Sequence, residues 1–198
     1  MGVPIRRLIL ATNENNVLEE FFTTGIYRPR SAEDTLATSS PSMDISKASN
    51  LERFIWALLG PEVFVQRWAE LEATGTLDLR DQLPRLREEF GFVAGTSTHA
   101  DRLEAIRSVK ERSGRLIDPH TADGVTVALR VMDPGFPTLV METAKAAKFP
   151  QTVAEALGSE PETPDVVADL LARPQKVETI DNEEAPLRAL IEERALRR

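Results

Sequence analysis

The sequence predicts an α/β fold, a partial parallel sheet with flanking helices. Short apolar runs that read as buried strands alternate with capped amphipathic helices, the pattern of parallel βαβ units. The clearest runs end in polar segments, and ligands of open α/β sheets sit outside the carboxyl ends of their strands. With 198 residues, 41% apolar and 28% charged, the chain is long enough for one good core, or one core and an appendage. Residues 1–160 are expected to form an incomplete α/β domain and residues 161–198 a helical C-terminal extension.

Ile5 to Ala11 is mostly apolar, ends in Thr12-Asn13, and reads as the first buried strand. Asn13-Glu14-Asn15-Asn16 then caps a helix through Phe22, with Val17, Leu18, Phe21 and Phe22 on one face and Gly25 as its stop. Residues 27–37 are irregular and carry Arg28-Pro29-Arg30. Ser46 is expected to cap a helix through Leu59, in which Leu51, Phe54, Ile55, Leu58 and Leu59 share a face. Gly60-Pro61 ends that helix and starts the next, to about Ala73. Residues 81–89 read as a short helix and Phe92-Val93-Ala94 as a strand. Thr98 and Asp101 have capping-box spacing ahead of a helix that ends before Gly114. Asp118-Pro119 opens another helix, with Asp as cap and Pro at the first helical position. Thr138 to Met141 reads as a second clear strand, after the turn at residues 134–137. The remainder reads as helical, with breaks at residues 161–164 and near Pro174. So few strands, with the first at the very start, suggest the back part of a larger α/β domain.

Composition narrows the function classes. The net charge is −8, without the basic footprint of a nucleic-acid binder. There is no cysteine, which removes disulfides and thiolate metal sites. His99 and His120 are the two histidines and lack metal-ligand spacing, so no metal is expected. No apolar run approaches the roughly 20 residues that cross a bilayer. Pro4, Arg6 and Arg7 interrupt any signal-peptide pattern, and a cytoplasmic address is the expectation.

The run Thr38-Ser39-Ser40-Pro41-Ser42-Met43-Asp44 concentrates hydroxyls where a helix is expected to open. Hydroxyls and free amides converging at a helix start suit a phosphate or carboxylate, although a Ser-rich cap has the same composition. The segments at 11–15, 118–124 and 142–149 are the other places where a site should lie. Asn13 and Asn15 either hold a ligand or cap a helix, and Thr143 either meets a ligand or caps one. His120 and Thr121 either face a ligand or sit satisfied beneath the Asp118 cap. Arg28 and Arg30 read as a solvated basic loop, and His99 as a residue near a helix cap without a functional role.

The order ATNEN (11–15), TSSPSMDISKASN (38–50), ERFIWALLG (52–60), GRLIDPHTADG (114–124) and ETAKAAKF (142–149) resembles threonine synthase, specifically the carboxyl-terminal portion of its bacterial form. The resemblance runs from about Val3 to about Leu190. It implies the back part of the large domain of the pyridoxal-phosphate-dependent fold shared with the tryptophan synthase β subunit. It also implies conversion of O-phospho-L-homoserine and water to L-threonine and phosphate. On this resemblance Thr143 meets the pyridine nitrogen of pyridoxal 5'-phosphate, with His120 and Asn13 beside the cofactor. Asn15, Ser39, Ser40 and Ser42 are the expected substrate contacts.

The lysine that forms the Schiff base and the Gly-rich phosphate loop belong to the family's front part. The ten glycines here form no such loop, and Lys47, Lys145 and Lys148 do not occupy the lysine's position. Family members carry a Met-Gly-x-Pro-Ile stretch inside the chain where this sequence starts, so Met1 is read either as an internal methionine or as a true start. Lys145-Ala146 stands where members more usually show His-Pro or Leu-Pro, and Asn16 where Asp is common. The expectations are a fragment without turnover by itself, able to self-associate through an exposed sheet edge. The alternatives are a non-catalytic half-domain that binds a partner or a full-length synthase, and another enzyme of the same cofactor fold, such as a dehydratase.

Overall fold

The computed structural model describes residues 4–195. Met1, on which the reading of the start turned, lies outside them. The chain divides into two compact units, Met1–Glu162 and Thr163–Arg198. In the first unit the elements run β1 (Leu8–Thr12), α1 (Val17–Thr24), β2 (Ile26–Tyr27), α2 (Ser49–Leu59), α3 (Pro61–Thr74), β3 (Leu77–Asp78), α4 (Leu83–Glu88), β4 (Phe92–Thr96), α5 (His99–Ser113), α6 (Pro119–Val131) and α7 (Pro150–Leu157). The second unit holds α8 (Asp165–Ala172) and α9 (Glu184–Arg194). Arg194 closes α9.

The parallel sheet is small. β1 pairs with β4 in parallel, with Leu8 opposite Phe92 and Thr12 opposite Thr96. Both strands therefore end at the same edge, and the residues that follow them, Asn13-Glu14 and Ser97-Thr98, meet there. An antiparallel pair of two-residue strands, β2 with β3, escaped the sequence reading because it is too short to leave a period. Val17, Phe21 and Phe22 of α1 pack with Leu51, Ile55 and Leu58 of α2 in the larger core. Phe22 lies 4.3 Å from Phe92 between ring centroids, and Phe54 lies 5.1 Å from Phe92, edge-on. A second core joins Ala105 and Ile106 of α5, Ala122 of α6 and Ala156 of α7. Gly25 ends α1 at φ 79°, and a Cβ there would stand 2.7 Å from the Arg80 Cα. Only glycine fits both constraints.

Several caps form as the sequence implies. Thr98 and Asp101 make the full capping box on α5. Asp118 caps α6 by accepting from the backbone N–H groups of His120 and Thr121. Two expectations are corrected. Ser46 does not cap α2, which starts at Ser49 with Ala48 as its cap residue. The Ser46 carbonyl instead accepts from the Tyr27 hydroxyl at 3.2 Å, and that hydroxyl accepts from the Ala48 N–H at 3.2 Å. The buried Tyr27 of β2 thus ties down the backbone on both sides of Lys47, just ahead of α2.

The second correction is larger. Residues 138–141 form no strand: the sheets among the described residues are β1 with β4 and β2 with β3. Leu139 is 87% exposed and Met141 76%. A sequence with strand periodicity becomes a strand only when a neighbour takes its backbone hydrogen bonds. Among the described residues no helix is long and apolar enough to cross a membrane.

Candidate functional site

At the carboxyl edge of the sheet a single guanidinium organises four segments. Arg102 on α5 is fully buried. Its Nη2 donates to both Glu14 carboxylate oxygens at 2.9 Å, from the turn after β1. Its Nη1 donates to Asp123 Oδ1 of α6 at 3.1 Å, and its Nε to Ser39 Oγ at 2.8 Å. A buried charge persists only when paired and hydrogen-bonded, and here each of the three nitrogens has a partner. Burial pushes the Asp123 carboxyl above its ordinary value, against the lowering pull of Ser40 and Arg102. Asp123 Oδ2 is buried without a hydrogen bond of its own.

The Ser-rich run is shaped by a second cluster. It does not open an α-helix as expected. Pro41–Met43 is a single tight turn, and α2 begins only at Ser49. The side chain of Asp44 folds back over the run, accepting from the Thr38 N–H at 2.9 Å and the Thr38 hydroxyl at 2.8 Å. Asn13 Nδ2 donates to Thr38 Oγ1 and to Asp44 Oδ1, both at 2.8 Å, and approaches Ser40 Oγ at 3.2 Å. Asn15 Nδ2 donates to the Leu36 carbonyl and to Asp44 Oδ1 at 2.9 Å, and its Oδ1 accepts from the Leu36 N–H. Neither asparagine caps α1, whose cap residue is Asn16. Their amides hold the run against the strand end.

The third cluster joins the run to residues 142–144. Ser42 donates its backbone N–H to His120 Nε2 at 3.0 Å. That nitrogen therefore accepts, and the ring proton sits on Nδ1, 2.8 Å from Asp118 Oδ1. The imidazole is 5% exposed and lies 4.6 Å from the Phe149 ring. With both nitrogens engaged, the imidazole bridges the run to the start of α6. The Thr121 hydroxyl donates to Asp118 Oδ2 and accepts from the Thr143 N–H at 3.3 Å. Burial pushes the Asp118 carboxyl up, but its bonds from His120 and Thr121 outweigh this and hold it below the ordinary 3.8.

Thr143 is exposed, and among the described residues its hydroxyl makes no hydrogen bond. Ser42 is also exposed at the same rim, Ser39 is half-buried and Ser40 fully buried. So the structure gathers Asn13, Asn15, Ser39, Ser40, Ser42, His120 and Thr143 along one connected network, of which Thr143 and Ser42 form the open face. Arg28 and Arg30 stay outside it. Arg28 pairs with Glu20, and Arg30 donates to Asn16 Oδ1 at 2.9 Å. Among the described residues no group of His, Asp and Glu has the arrangement of a metal site. A shallow cleft of about 550 Å³ lies at the opposite, amino edge of the sheet, and there Arg7 and Arg87 are engaged by the Val131 and Thr23 carbonyls.

Reading the sequence missed Arg102, Glu14, Asp44, Asp123 and His99. Arg102 carried a signal: it shares a helix face with Ala105 and Ile106, and an arginine on an apolar stripe needs buried acidic partners. Asp123, beside Ala122 and one turn before Val127, carried the matching one.

The fold is an α/β unit whose polar, hydrogen-bonded rim lies at the carboxyl ends of its two parallel strands. The chain is similar to the carboxyl-terminal portion of threonine synthases: residues 121–191 match the family model for the threonine synthase C-terminal region. It is 47% identical over 196 residues to the threonine synthase of Methylobacillus glycogenes, covering 98% of this chain and 41% of that protein. It is 50% identical over 190 residues to that of Corynebacterium glutamicum, covering 92% of this chain and 39% of that protein. The crystal structure of PLP-bound threonine synthase from Brucella melitensis matches with a TM-score of 0.83 at 35% identity, over 98% of this chain and 40% of that one. The chain thus spans about two fifths of the length of these relatives.

Replacing Arg102 by Met leaves Glu14 and Asp123 without their cation. Losing one side of a buried pair costs about 3–5 kcal/mol, so urea denaturation of Arg102→Met should show that loss. A change below about 1 kcal/mol would contradict the central role of the guanidinium. The lowered pKa of Asp118 means its stabilisation is present above pH 3.8 and is lost as pH falls through the depressed value. The stability difference between wild type and Asp118→Asn should therefore shrink as pH drops from about 5 to about 3, and a constant difference would be inconsistent with that linkage.

Proposed function

We propose that this chain is the rear wall of a pyridoxal-phosphate site in a threonine synthase, and that it has no turnover by itself. The observation that carries the reading is the rim: an exposed, unbonded Thr143 hydroxyl held by Thr121 and Asp118, beside a Ser-rich run pinned by His120. The free hydroxyl fits a heteroaromatic nitrogen, and the sequence similarity to threonine synthases supports that group as the cofactor. When bound, the cofactor stabilises the carbanions formed as protons leave the α and then the β carbon of O-phospho-L-homoserine.

The chain's own residues orient and enclose. Thr143 offers the ring nitrogen a neutral hydroxyl, which favours the unprotonated ring and leaves more of the work to positioning. Asp118 fixes Thr121 and His120, so the Thr143 backbone and the Ser42 amide keep their places. The Ser-rich run takes the side of the substrate that bears phosphate, with Ser42 outermost. Asn13 and Asn15 act one layer behind it, on Asp44 and Thr38. The Arg102 cation is already matched by Glu14 and Asp123, so the phosphate is met from this wall by hydroxyls and amides. Proton transfer at carbon needs a positioned base, for which the family uses the Schiff-base lysine of its front part. Among the described residues, Lys145 pairs with Glu142 and Lys47 with Glu72.

The test is complementation. The purified 198-residue chain is expected to release no threonine from O-phospho-L-homoserine, and measurable release by it alone would refute the proposal. Co-expressed with the amino-terminal portion of the Corynebacterium glutamicum enzyme, it should recover cofactor absorbance and threonine formation. Thr143→Ala in the same mixture should lower the rate about tenfold, the scale of one lost hydrogen bond of about 1.4 kcal/mol. Two folded halves that associate yet bind no pyridoxal phosphate would overturn it.

The segment at 138–141 supports self-association of the isolated chain. Its side chains and backbone are open, the condition under which strand edges pair between molecules. Sedimentation should be concentration-dependent and become monomeric in Leu139→Lys; a wild-type monomer at all concentrations would count against this.

A further inference from the structure

His99 stands outside the chemistry described so far, yet it sits in a chain of polar contacts that ends at the Ser-rich run. Its Nδ1 lies 2.8 Å from Ser39 Oγ and its Nε2 2.9 Å from Glu155 Oε1 of α7. Its backbone N–H donates to Glu14 Oε1 at 2.7 Å, which fixes the ring's origin at the first residue of α5. The His99 side chain is 44% exposed and that of Glu155 54%, so solvent reaches the outer end of the chain.

The directions of these bonds are constrained. Ser39 Oγ already accepts from Arg102 Nε, because a guanidinium N–H can only donate. A hydroxyl oxygen has one proton and two lone pairs, so a single lone pair and the proton remain. When His99 carries its proton on Nε2 alone, Nδ1 is an acceptor and takes the Ser39 proton. When Nδ1 is protonated, it donates to the second lone pair of Ser39. The Ser39 proton is then released toward the open side of the run.

We infer that His99 is a positioning residue, held between Glu155 and Ser39, that sets whether the Ser39 hydroxyl can donate to an oxyanion seated on the Ser-rich run. This rests on the reading of that run as the place for the substrate phosphate. Protonating His99 adds an Nδ1–H while Glu155 keeps its hold on Nε2–H, so the protonated imidazole frees the Ser39 hydroxyl to donate and strengthens oxyanion binding. The charged groups that face His99 are Glu155 from α7, Glu14 from the turn after β1 and Arg102 from its own helix, with Asp123 of α6 on the far side of Arg102. Only one other histidine exists, His120, and its Nε2 is occupied by the Ser42 N–H.

The probe is inorganic sulfate, whose charge is the same at pH 6 and pH 8, titrated calorimetrically into the 198-residue chain at those two values and constant ionic strength. Wild type should bind sulfate about fivefold more tightly at pH 6, the value of one hydrogen bond of about 1 kcal/mol. His99→Gln should lose that ratio. An equal ratio in wild type and His99→Gln, or none in wild type, overturns the inference. Absence of sulfate binding at both values also overturns it, and nitrogen-15 spectra of His99 in Ser39→Ala then locate the fault. A changed tautomer balance would show the relay intact and the oxyanion reading wrong. An unchanged one would show that Ser39 and His99 are not coupled.

Discussion

The structure of the rim depends on a buried arginine. Arg102 brings the turn after β1, the Ser-rich run and α6 to one point, and none of these segments has a local reason to meet the others. Its partners lie 21, 63 and 88 residues away in sequence. Hydrophobic burial alone would bring α5 against α6 and α7, but it is non-directional. The planar fork of the guanidinium adds direction, since each donor accepts only a narrow range of partner positions.

Around that point the wall is acidic. Glu14, Asp44, Asp118 and Asp123 all turn inward, and each is matched by donors of the chain itself. This arrangement holds backbone and hydroxyl groups in fixed places without offering a free cation. It suits a surface that shapes one side of a pocket. The Thr143 hydroxyl and the outer serine are left open at its margin, where a ligand would arrive.

Three of the expected ligand contacts have their hydrogen-bonding groups engaged within the chain itself. Asn13 and Asn15 have their amides fully engaged by the run, and His120 bonds through both ring nitrogens. The family resemblance implied contacts there, and sequence alone does not separate a contact from its support. The distinction rests on which hydrogen bonds are already made, and that is a property of the folded arrangement. Thr143 is the reverse case, a residue whose only bond is through its backbone.

The sequence by itself determined the local elements: the Gly25 stop, the capping box at Thr98 and the Asp118 cap all follow from interactions within a few residues. It also determined, through the order of its motifs, the enzyme family that the chain resembles. Tertiary structure alone decided that residues 138–141 stay unpaired, that Tyr27 rather than the Ser46 side chain bonds the backbone ahead of α2, and that Asn13 and Asn15, through Asp44, rather than a helix terminus shape the Ser-rich run. In each of these the deciding partner lies far along the chain or is not present beside it, and a local pattern carries no information about a distant donor or acceptor.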